Sequence, residues 1–316
     1  MKKITIGLPV YNGANYLAEA IDSILAQTYP DFDLLISDNA STDETEEICR
    51  AYAGRDRRIR YIRQPRNLGA AANYNLLAQM NESLYFKWAA HDDFLARDFL
   101  AACVDVLDRD PTVVLASPAS ILVDEKGAPL PHSPERGGMV DPAGICWPSL
   151  PECNDDLMAT DPALRFHAVM LRMVMCVEVF GLMRRSALLR TSLQGSFGGA
   201  DKVFLAQMSL LGRFWLGPET LLYRRCHPQQ FSAQASGAYR AAWFSGRRES
   251  IFTQQIQLLL AYCRVVCTAD LTFSQRCSCL YAIAYRAISR GQQWRRLTGA
   301  IVGCPQTNKY GNSAAE

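Results

Sequence analysis

Two common phosphate-binding motifs are missing from this chain. No G-x-G-x-x-G follows the first apolar run, and the loop pattern G-x-x-x-x-G-K-[ST] is absent as well. The run ends instead in the sequence PVYNG at residues 9–13. The chain is therefore not expected to be an NAD-dependent oxidoreductase or a P-loop enzyme, and a phosphorylated ligand would have to be held by other groups.

Zinc motifs, a signal peptide and membrane spans are also lacking. None of the eleven cysteines has the C-x-x-C spacing of a zinc site, and only four histidines are available to complete one. No stretch approaches the ~20 apolar residues that cross a bilayer, and the apolar run after Lys3 is too short for a signal peptide. We therefore expect a cytoplasmic protein whose cysteines stay reduced.

The chain has little excess charge of either sign. Its 316 residues carry 33 Lys and Arg against 31 Asp and Glu, so a nucleic acid is not an expected partner. From residue 240 onward, however, ten basic residues stand against three acidic ones, and this segment is basic. The length allows one large domain, alone or with an appendage.

Strand and helix patterns alternate over the first 117 residues. Apolar runs predict strands at 4–10, 32–37, 59–64, 84–90 and 113–117, and apolar periodicity predicts helices at 17–25, 41–53, 69–81 and 94–108. Ser41 and Glu44 have the spacing of a capping box, which would begin the second helix at Ser41. The alternation predicts an α/β fold with a mostly parallel sheet and right-handed crossovers.

Polar residues cluster where these predicted strands end. In open α/β sheets, ligands bind beyond the carboxyl ends of the strands. The clusters that follow the first four predicted strands are Tyr11-Asn12, Asp38-Asn39, Arg66-Asn67 and His91-Asp92-Asp93. The sequence therefore predicts a binding site along one edge of the sheet.

The adjacent carboxylates Asp92 and Asp93 need a partner, because two such groups at the end of a buried strand repel each other and lose hydration. A helix cap would account for one of them, since a carboxylate there contributes ~0.5–2 kcal/mol. A divalent cation such as Mg²⁺ or Mn²⁺, held by one carboxylate and by substrate phosphates, accounts for both. We therefore predict a cation site here.

The second half of the chain has weaker patterns. Residues 127–162 are rich in proline and glycine and predict a long surface loop, which in a compact domain is usually functional or mobile. The remaining predicted elements are a helix at 162–173, a strand at 178–183, a helix at 200–211, two short strands in RFWLG and LLYRRCH, helical structure from 238 to 302 and a disordered end. Asp201 is either a helix cap or a catalytic base, and His227 is either an ordinary surface residue or a metal or phosphate ligand.

At this point the chain resembles a known family. The segment GLPVYNGANYLAEAIDSILAQTYPDFDLLISDNASTDET is similar to the amino-terminal signature of the family-2 inverting glycosyltransferases, which have the glycosyltransferase-A fold. Later motifs of that family resemble NLG at 67–69, HDD at 91–93, GGADKVFLAQMSLLGRF at 198–214 and YRRCHPQQ at 223–230. The resemblance extends over about residues 3–230.

The resemblance implies a domain organisation and a set of site residues. It implies a single Rossmann-like nucleotide-binding domain of the glycosyltransferase-A type at 1–237, divided at residue 117 into a nucleotide-binding half and an acceptor-side half, with a helical C-terminal extension at 238–316. Asp201 would be the catalytic base, and Asp93 and His227 would bind a divalent metal, Mn²⁺ or Mg²⁺. The nucleotide-sugar side would consist of Pro9, Tyr11, Asn12, Asp38, Asn67, Gly69, Asn73 and Asp92.

Two departures from the family pattern concern these residues. The D-x-D motif lacks its first aspartate, because Ala90 or His91 stands there, and Asp93 then becomes the expected metal ligand. Ala200 precedes Asp201, where many members have a glutamate beside the base.

The implied reaction is the inverting, metal-assisted transfer of a sugar from a UDP-, dTDP- or GDP-sugar to a hydroxyl of a glycan or lipid-linked acceptor, in cell-surface polysaccharide or glycoconjugate biosynthesis. Two alternatives stay open: an inert sugar-nucleotide-binding module of the same fold, and a nucleotidyltransferase, which would need a basic glycine-rich loop where this chain has PVYNG. The basic C-terminal helices would either lie on the inner face of the plasma membrane or pack on the domain or on a second subunit.

Overall fold

The computed structural model describes residues 2–149, 155–228, 230 and 251–302, and of residues 251–254 and 290–302 it describes the backbone alone. Eight strands form the main sheet: β1 (Ile4–Val10), β2 (Phe32–Asp38), β3 (Ile59–Arg63), β4 (Tyr85–Trp88), β5 (Phe94–Leu95), β6 (Val113–Val123), β10 (Leu182–Arg184) and β11 (Arg213–Arg225). Their order is β3-β2-β1-β4-β10-β6-β11-β5. β10 is antiparallel to both neighbours and β5 is antiparallel to β11, whereas the other pairings are parallel.

Helices cover both faces of this sheet. They are α1 (Ala14–Leu25), α2 (Thr45–Arg55), α3 (Ala70–Gln79), α4 (Phe99–Arg109), α5 (Pro162–His167), α6 (Arg185–Leu188), α7 (Ala200–Leu211), α8 (Ile251–Thr268) and α9 (Phe273–Val302). One apolar core lies under α1, α2 and α4, and a second lies under α3, α5 and α7. Every residue of β1 is therefore buried, which explains its continuous apolar sequence.

The structure confirms the predicted α/β architecture and corrects several details. The capping-box prediction was wrong: α2 begins at Thr45, and the Ser41 hydroxyl accepts a hydrogen bond from the backbone of another loop. The segment predicted as a helix from residue 94 first forms β5, because Phe94 and Leu95 pair with β11. RFWLG and LLYRRCH belong to one strand, β11, whose pairing with β6 is irregular between Gly217 and Leu222. A 3-10 turn at Val177–Phe180 replaces the first half of the strand predicted at 178–183.

The proline- and glycine-rich segment has more structure than its sequence pattern predicts. Three short antiparallel strands, β7 (His132–Ser133), β8 (Gly138–Val140) and β9 (Cys146–Pro148), form a small sheet, and a 3-10 turn follows at Asp155–Met158. Asp141 stabilises this sheet, because one carboxylate oxygen accepts the Ile145 N–H at 2.8 Å and the other accepts the Trp147 indole N–H at 3.0 Å. Strands of two or three residues are too short to produce a readable alternation. Residues 150–154 lie outside the described part of the chain.

Helices α8 and α9 share a core with the rest of the domain. Their buried residues Leu258, Tyr262, Val266 and Ile283 belong to the apolar cluster that also contains the buried face of α7. None of the helices in the described part of the chain is both long enough and apolar enough to span a bilayer. Part of the tail lies outside the described residues, namely 231–250, where the predicted helical structure begins, and 303–316, which include the predicted disordered end. Of the ten basic residues counted from residue 240 onward, seven have side chains that are not described: Arg240, Arg247, Arg248, Arg290, Arg295, Arg296 and Lys309.

Candidate functional site

The loops that follow β1 and β2 are tied together by hydrogen bonds. The Asn12 backbone N–H donates to Ser41 Oγ at 2.9 Å, and the Thr42 N–H donates to Asn12 Oδ1 at 2.8 Å. Asn12 has a φ of 51°, a left-handed conformation that asparagine adopts more readily than most residues. Gly13 leaves space for the loop after β4, since a Cβ at this position would lie 2.5 Å from the His91 ring. The three loops therefore form one continuous rim.

Asp38 is fully buried at the end of β2 and is held by three donors. Its Oδ1 accepts the Ser41 N–H at 2.8 Å, and its Oδ2 accepts the Tyr61 hydroxyl at 2.8 Å and the Arg63 guanidinium at 3.0 Å. Burial, together with the bond to this carboxylate, raises the pKa of Tyr61 well above its usual range. A carboxylate offers about four acceptor positions, and three of those of Asp38 are therefore occupied.

The loop between β3 and α3 is fixed by a pair of asparagines. Asn39 Nδ2 donates to Asn67 Oδ1 at 2.9 Å, while Asn39 Oδ1 accepts the Leu68 N–H at 2.8 Å. Asn67 Oδ1 also accepts the Gly69 N–H at 2.8 Å. Gly69 has a φ of 83°, which favours glycine over residues with a side chain. Asn67 and Gly69, both predicted site residues, thus lie on the same rim as Asn12 and Asp38.

Two further residues predicted on the nucleotide side lie beneath the rim. Pro9 is buried inside β1. Asn73 is buried in α3, where its Oδ1 accepts the Ser37 hydroxyl at 2.6 Å and its Nδ2 donates to the Ser37 carbonyl at 2.9 Å. Tyr11, by contrast, has 43% of its surface exposed on the rim. Asn73 therefore links α3 to β2, and Tyr11 is the residue open to a ligand.

The aspartate pair after β4 lies against the end of β11. Asp92 Oδ2 is 3.1 Å from His227 Nε2, whereas Asp93 Oδ1 accepts the Arg225 N–H at 3.0 Å. The buried Arg225 guanidinium also donates to the Asp92 carbonyl at 3.0 Å, which fixes the loop from behind. Sequence reasoning paired His227 with Asp93 as the metal ligands, but the carboxylate beside His227 is that of Asp92. The antiparallel pairing of β11 with β5 brings the end of β11 and the residues that follow it, including His227, alongside this loop.

The two carboxyl groups titrate in opposite directions. Burial works against the charge of Asp92, but the neighbouring His91 and the bond with His227 outweigh it and lower the pKa of Asp92. Burial and the adjacent Asp92 charge raise the pKa of Asp93. Asp92 is therefore the carboxylate that stays ionised beside the imidazole.

Asp92 and His227 fit a divalent cation better than the rest of this rim does. The described part of the chain has no group of three or more His, Cys, Asp or Glu residues that could enclose an ion. His227 Nε2 and Asp92 Oδ2 are the two atoms that lie close enough together to bind one ion. The other ring nitrogen of His227, Nδ1, is buried without a hydrogen-bond partner among the described residues. One carboxylate and one imidazole suit Mn²⁺, and an ion that keeps water and phosphate ligands needs few protein groups.

Asp201 lies in the first turn of α7, but it is not the helix cap. Gly199 occupies the cap position with a φ of 85°, and no side chain caps this helix. Asp201 Oδ1 accepts the Lys202 N–H at 2.8 Å, and the Cys176 thiol bonds to its carboxylate. Burial raises the pKa of Asp201 above its ordinary value. The alternative in which Asp201 only caps the helix is therefore not what the structure contains.

Tyr74 connects the two ends of the site. Burial raises the pKa of its phenol, and the charges of Asp92, Asp93 and Asp201 raise it further. The same phenol experiences the Arg224 guanidinium, which acts in the opposite direction. The charges of Asp201 and of the aspartate pair thus act on the same phenol, although Asp201 comes more than a hundred residues later in the sequence.

Arg224 is a cation beside the aspartate pair, and its Nε has no hydrogen bond to a described residue. Its Nε lies 3.8 Å from Asp93 Oδ2, too far for a hydrogen bond, and this nitrogen has no hydrogen-bond partner in the described part of the chain. Only 13% of the side chain is exposed. A planar guanidinium in this state can bind an anionic ligand such as a phosphate.

Sequence reasoning missed several residues of this site. Arg63 is the penultimate residue of the strand predicted at 59–64, and Arg224 lies three residues before His227 in the predicted strand LLYRRCH. A search for basic residues near strand ends would therefore have found both. Tyr74 and Glu178 carry no comparable signal, because an aromatic residue in a helix and an isolated glutamate are common in any sequence.

Comparisons with known proteins agree with this geometry. The sequence profile described as Glycosyl transferase family 2 matches residues 5–190. An uncharacterised glycosyltransferase of Rickettsia typhi is 35% identical over 124 residues, which cover 39% of this chain and 38% of the relative. Glycosyltransferase GlyA of Streptococcus pneumoniae is 37% identical over 98 residues, 31% of this chain and 14% of that protein. The matches thus span well under half the length of these curated relatives.

Solved structures share the fold at low sequence identity. Staphylococcus aureus TarS 1–349 in complex with UDP-GlcNAc superposes with a TM-score of 0.64 at 16% identity, over 91% of this chain and 73% of that chain. The mannosyltransferase PcManGT of Pyrobaculum calidifontis, in complex with GDP-Man and Mn²⁺, gives a TM-score of 0.54 at 17% identity, over 95% and 80% of the two chains. The two alignments therefore show that this chain shares the fold of these glycosyltransferases over most of its length.

Proposed function

The chain belongs to glycosyl transferase family 2, and we propose that it transfers a sugar from a nucleotide-sugar donor to a hydroxyl of a glycan or lipid-linked acceptor. The observation that carries this proposal is the contact of Asp92 with His227 just beyond β4 and β11, with Arg224 beside Asp93 and with Asp201 acting on the same Tyr74 phenol as the aspartate pair and Arg224. The complexes of TarS with UDP-GlcNAc and of PcManGT with GDP-Man support a nucleotide sugar as the donor.

The donor nucleoside would bind at the part of the rim that the loops after β1, β2 and β3 form. Asp38 would accept a bond from an N–H donor of the nucleobase, and its three protein donors hold the carboxylate in position. The exposed ring of Tyr11 is free to stack on a base. The hydrogen bonds of Asn12 and Asn67 hold these loops in place before the ligand arrives.

The diphosphate would lie over the aspartate pair. Asp92 and His227 would hold Mn²⁺ or Mg²⁺, which neutralises the charge that develops on the departing diphosphate. Arg224 adds a fixed positive charge beside the same position and can form two parallel bonds to phosphate oxygens. Asp93 lies behind them and orients the strand end through the Arg225 N–H.

Asp201, at the start of α7, would act as the general base. Burial raises its pKa towards the working range of a base, and the Cys176 thiol and the Lys202 N–H orient the carboxylate. It would take the proton of the acceptor hydroxyl as that oxygen attacks the anomeric carbon and the bond to the diphosphate breaks. A single in-line displacement of this kind inverts the anomeric configuration.

The location of the protein and its other contacts are also part of this proposal. All nine cysteines in the described part of the chain are free, which supports a reducing compartment such as the cytoplasm. Helices α8 and α9 expose the apolar side chains of Leu260, Phe273, Tyr281 and Ile288. Such a surface suits the inner face of a membrane, where lipid-linked acceptors of cell-surface glycans reside, or a second copy of the chain.

Turnover of a sugar nucleotide tests the proposal against the two alternatives. The chain is incubated with a panel of UDP-, dTDP- and GDP-sugars, with and without MnCl₂, and the release of nucleoside diphosphate is measured. We expect metal-stimulated hydrolysis of at least one donor even without an acceptor. An inert binding module would bind a donor without releasing diphosphate, and a nucleotidyltransferase would release pyrophosphate from a nucleoside triphosphate instead.

Matched variants make the result specific to the site. Asp201→Asn removes the proposed base, whereas Glu47→Gln changes an exposed carboxylate on α2. Diphosphate release must fall in the first variant and stay at the wild-type rate in the second. Equal rates in both variants would assign the activity to another site or to a contaminant.

A further inference from the structure

Glu178 is a buried acid that the mechanism above does not use. It lies in the 3-10 turn Val177–Phe180, directly before β10. Because β10 runs antiparallel to β4 and Met183 pairs with Phe86, this turn lies at the carboxyl end of β4. That is the edge at which Asp92 and Asp93 follow β4. The fold therefore brings Glu178 to the edge of the site from a distant part of the sequence.

The charged groups around Glu178 come from both ends of the site. Arg224, whose guanidinium faces Asp93, acts on the Glu178 carboxyl group from the end of β11. Lys202, the residue after Asp201, acts on it from the start of α7. Cys176, which lies two residues before Glu178 in the sequence, bonds to the Asp201 carboxylate. Glu178 thus experiences the cation beside the aspartate pair as well as the residue that follows the proposed base.

One oxygen of this carboxyl group is left without a partner. Glu178 is 6% exposed, and its Oε2 is buried with no hydrogen-bond partner among the described residues. Neither Arg224 nor Lys202 forms a hydrogen bond to Oε2. The Lys202 ammonium group donates to the Met173 carbonyl. A buried polar atom of this kind requires an explanation, because nearly all such atoms in folded proteins are paired.

A sugar hydroxyl matches what this oxygen lacks. Burial raises the pKa of Glu178 to about 7, so both forms of the group are present near neutral pH. The carboxylate accepts a bond from a hydroxyl and the acid donates one to it, so either form binds a hydroxyl. A phosphate oxygen, in contrast, would be repelled by the carboxylate.

We propose that Glu178 is a specificity-determining residue whose Oε2 binds a hydroxyl group of a sugar in the space between Arg224 and Asp201. This inference rests on the proposed glycosyltransferase function. The hydroxyl belongs either to the transferred sugar of the donor or to the acceptor sugar, since both approach the region between diphosphate and base. A site that pairs a buried polar group with a substrate hydroxyl discriminates strongly against ligands that lack the pairing.

The experiment compares Glu178→Gln with the wild type and with Glu82→Gln, a change of an exposed glutamate. Three quantities are measured: the Kd of UDP with MnCl₂, the kcat/KM for hydrolysis of the best donor of the panel, and the kcat/KM of transfer to an acceptor sugar. We expect Glu178→Gln to keep the wild-type Kd for UDP and the wild-type Tm. If the hydroxyl belongs to the donor, hydrolysis falls about tenfold or more, and if it belongs to the acceptor, only transfer falls by that factor.

Other outcomes overturn the inference. Unchanged hydrolysis and transfer in a folded Glu178→Gln protein would mean that Glu178 only balances the two cations. Loss of UDP binding in the same variant would make it part of the diphosphate site instead. A wild-type protein that hydrolyses no donor refutes the proposed function itself, which separates that failure from failure of the role of Glu178.

Discussion

Lys87 offers a quantitative test of how the interior behind the site is organised. It is 1% exposed in β4, its ammonium group donates to the carbonyls of Phe180 at 2.5 Å and Trp88 at 3.1 Å, and it lies 4.4 Å from the Phe99 ring centroid. No carboxylate forms a hydrogen bond with it in the described part of the chain. Burial therefore dominates and lowers the pKa of Lys87 from 10.5 to about 8.

This pKa shift makes stability depend on pH in a defined direction. Between the two pKa values the unfolded chain binds a proton at Lys87 that the folded chain has already released, so the free energy of unfolding rises with pH. Below the folded pKa the full cost of the buried charge is present. With the two values above, the rise between about pH 7 and about pH 9.5 is about 2 kcal/mol.

The Lys87→Met variant isolates this effect, because methionine has a similar length and no titrating group. Urea unfolding of the wild type and the variant is followed by tryptophan fluorescence at several pH values, and the difference between the two proteins is plotted. Titrating groups that do not interact with Lys87 cancel in this difference, whereas Asp93 and Cys103 do interact with it. Lys126→Met, a change at an exposed loop residue, is the control and gives a flat difference. We expect the wild type to gain about 2 kcal/mol relative to Lys87→Met.

A flat difference for Lys87→Met over this range would refute the reasoning. It would mean that the amine keeps its ordinary pKa, through contact with water or through a direct bond to Asp93. The three carbonyl and ring contacts would then be insufficient to describe the environment of Lys87.

Further predictions concern the site and the C-terminal helices. Asp201→Asn lowers kcat by roughly 10²-fold or more at unchanged donor Kd, as measured by steady-state kinetics and calorimetry, and a loss of donor binding would contradict its role as base. Asp92→Asn weakens Mn²⁺-dependent donor binding more than Asp93→Asn does, because Asp92 lies beside His227; the reverse order would restore Asp93 as the principal ligand. The chain sediments weakly with anionic vesicles, less so in high salt and after Phe273→Ser with Tyr281→Ser, since these exposed side chains and the basic tail would contact the lipid. Salt-insensitive sedimentation would indicate a different surface, and none at low salt would leave packing or subunit contact as the role of these helices.

The sequence alone determined the class of fold and brought the candidate site residues to one edge of the sheet. Runs such as ITIGLPV and the apolar periodicity of α1 reflect local burial, which is a property of neighbouring residues. In a parallel sheet the carboxyl ends of strands lie together, so Asn12, Asp38 and Asn67 could be assigned to one edge without knowing the strand order. The prediction missed short strands such as β7 and β9, because a strand of two or three residues has no apolar period to read.

The tertiary structure alone decided which side chain meets which. Asp92 and His227 are 135 residues apart in sequence, and Asp93 and Arg225 are separated by 132. Their contacts depend on β11 lying between β6 and β5, a strand order that no local pattern encodes. The contact of His227 with Asp92 depends on that order, and the unpaired oxygen of Glu178 likewise appears only in the folded chain. Pairwise distances across a sheet are fixed by strand register and helix packing, and these are properties of the folded chain rather than of any segment of it.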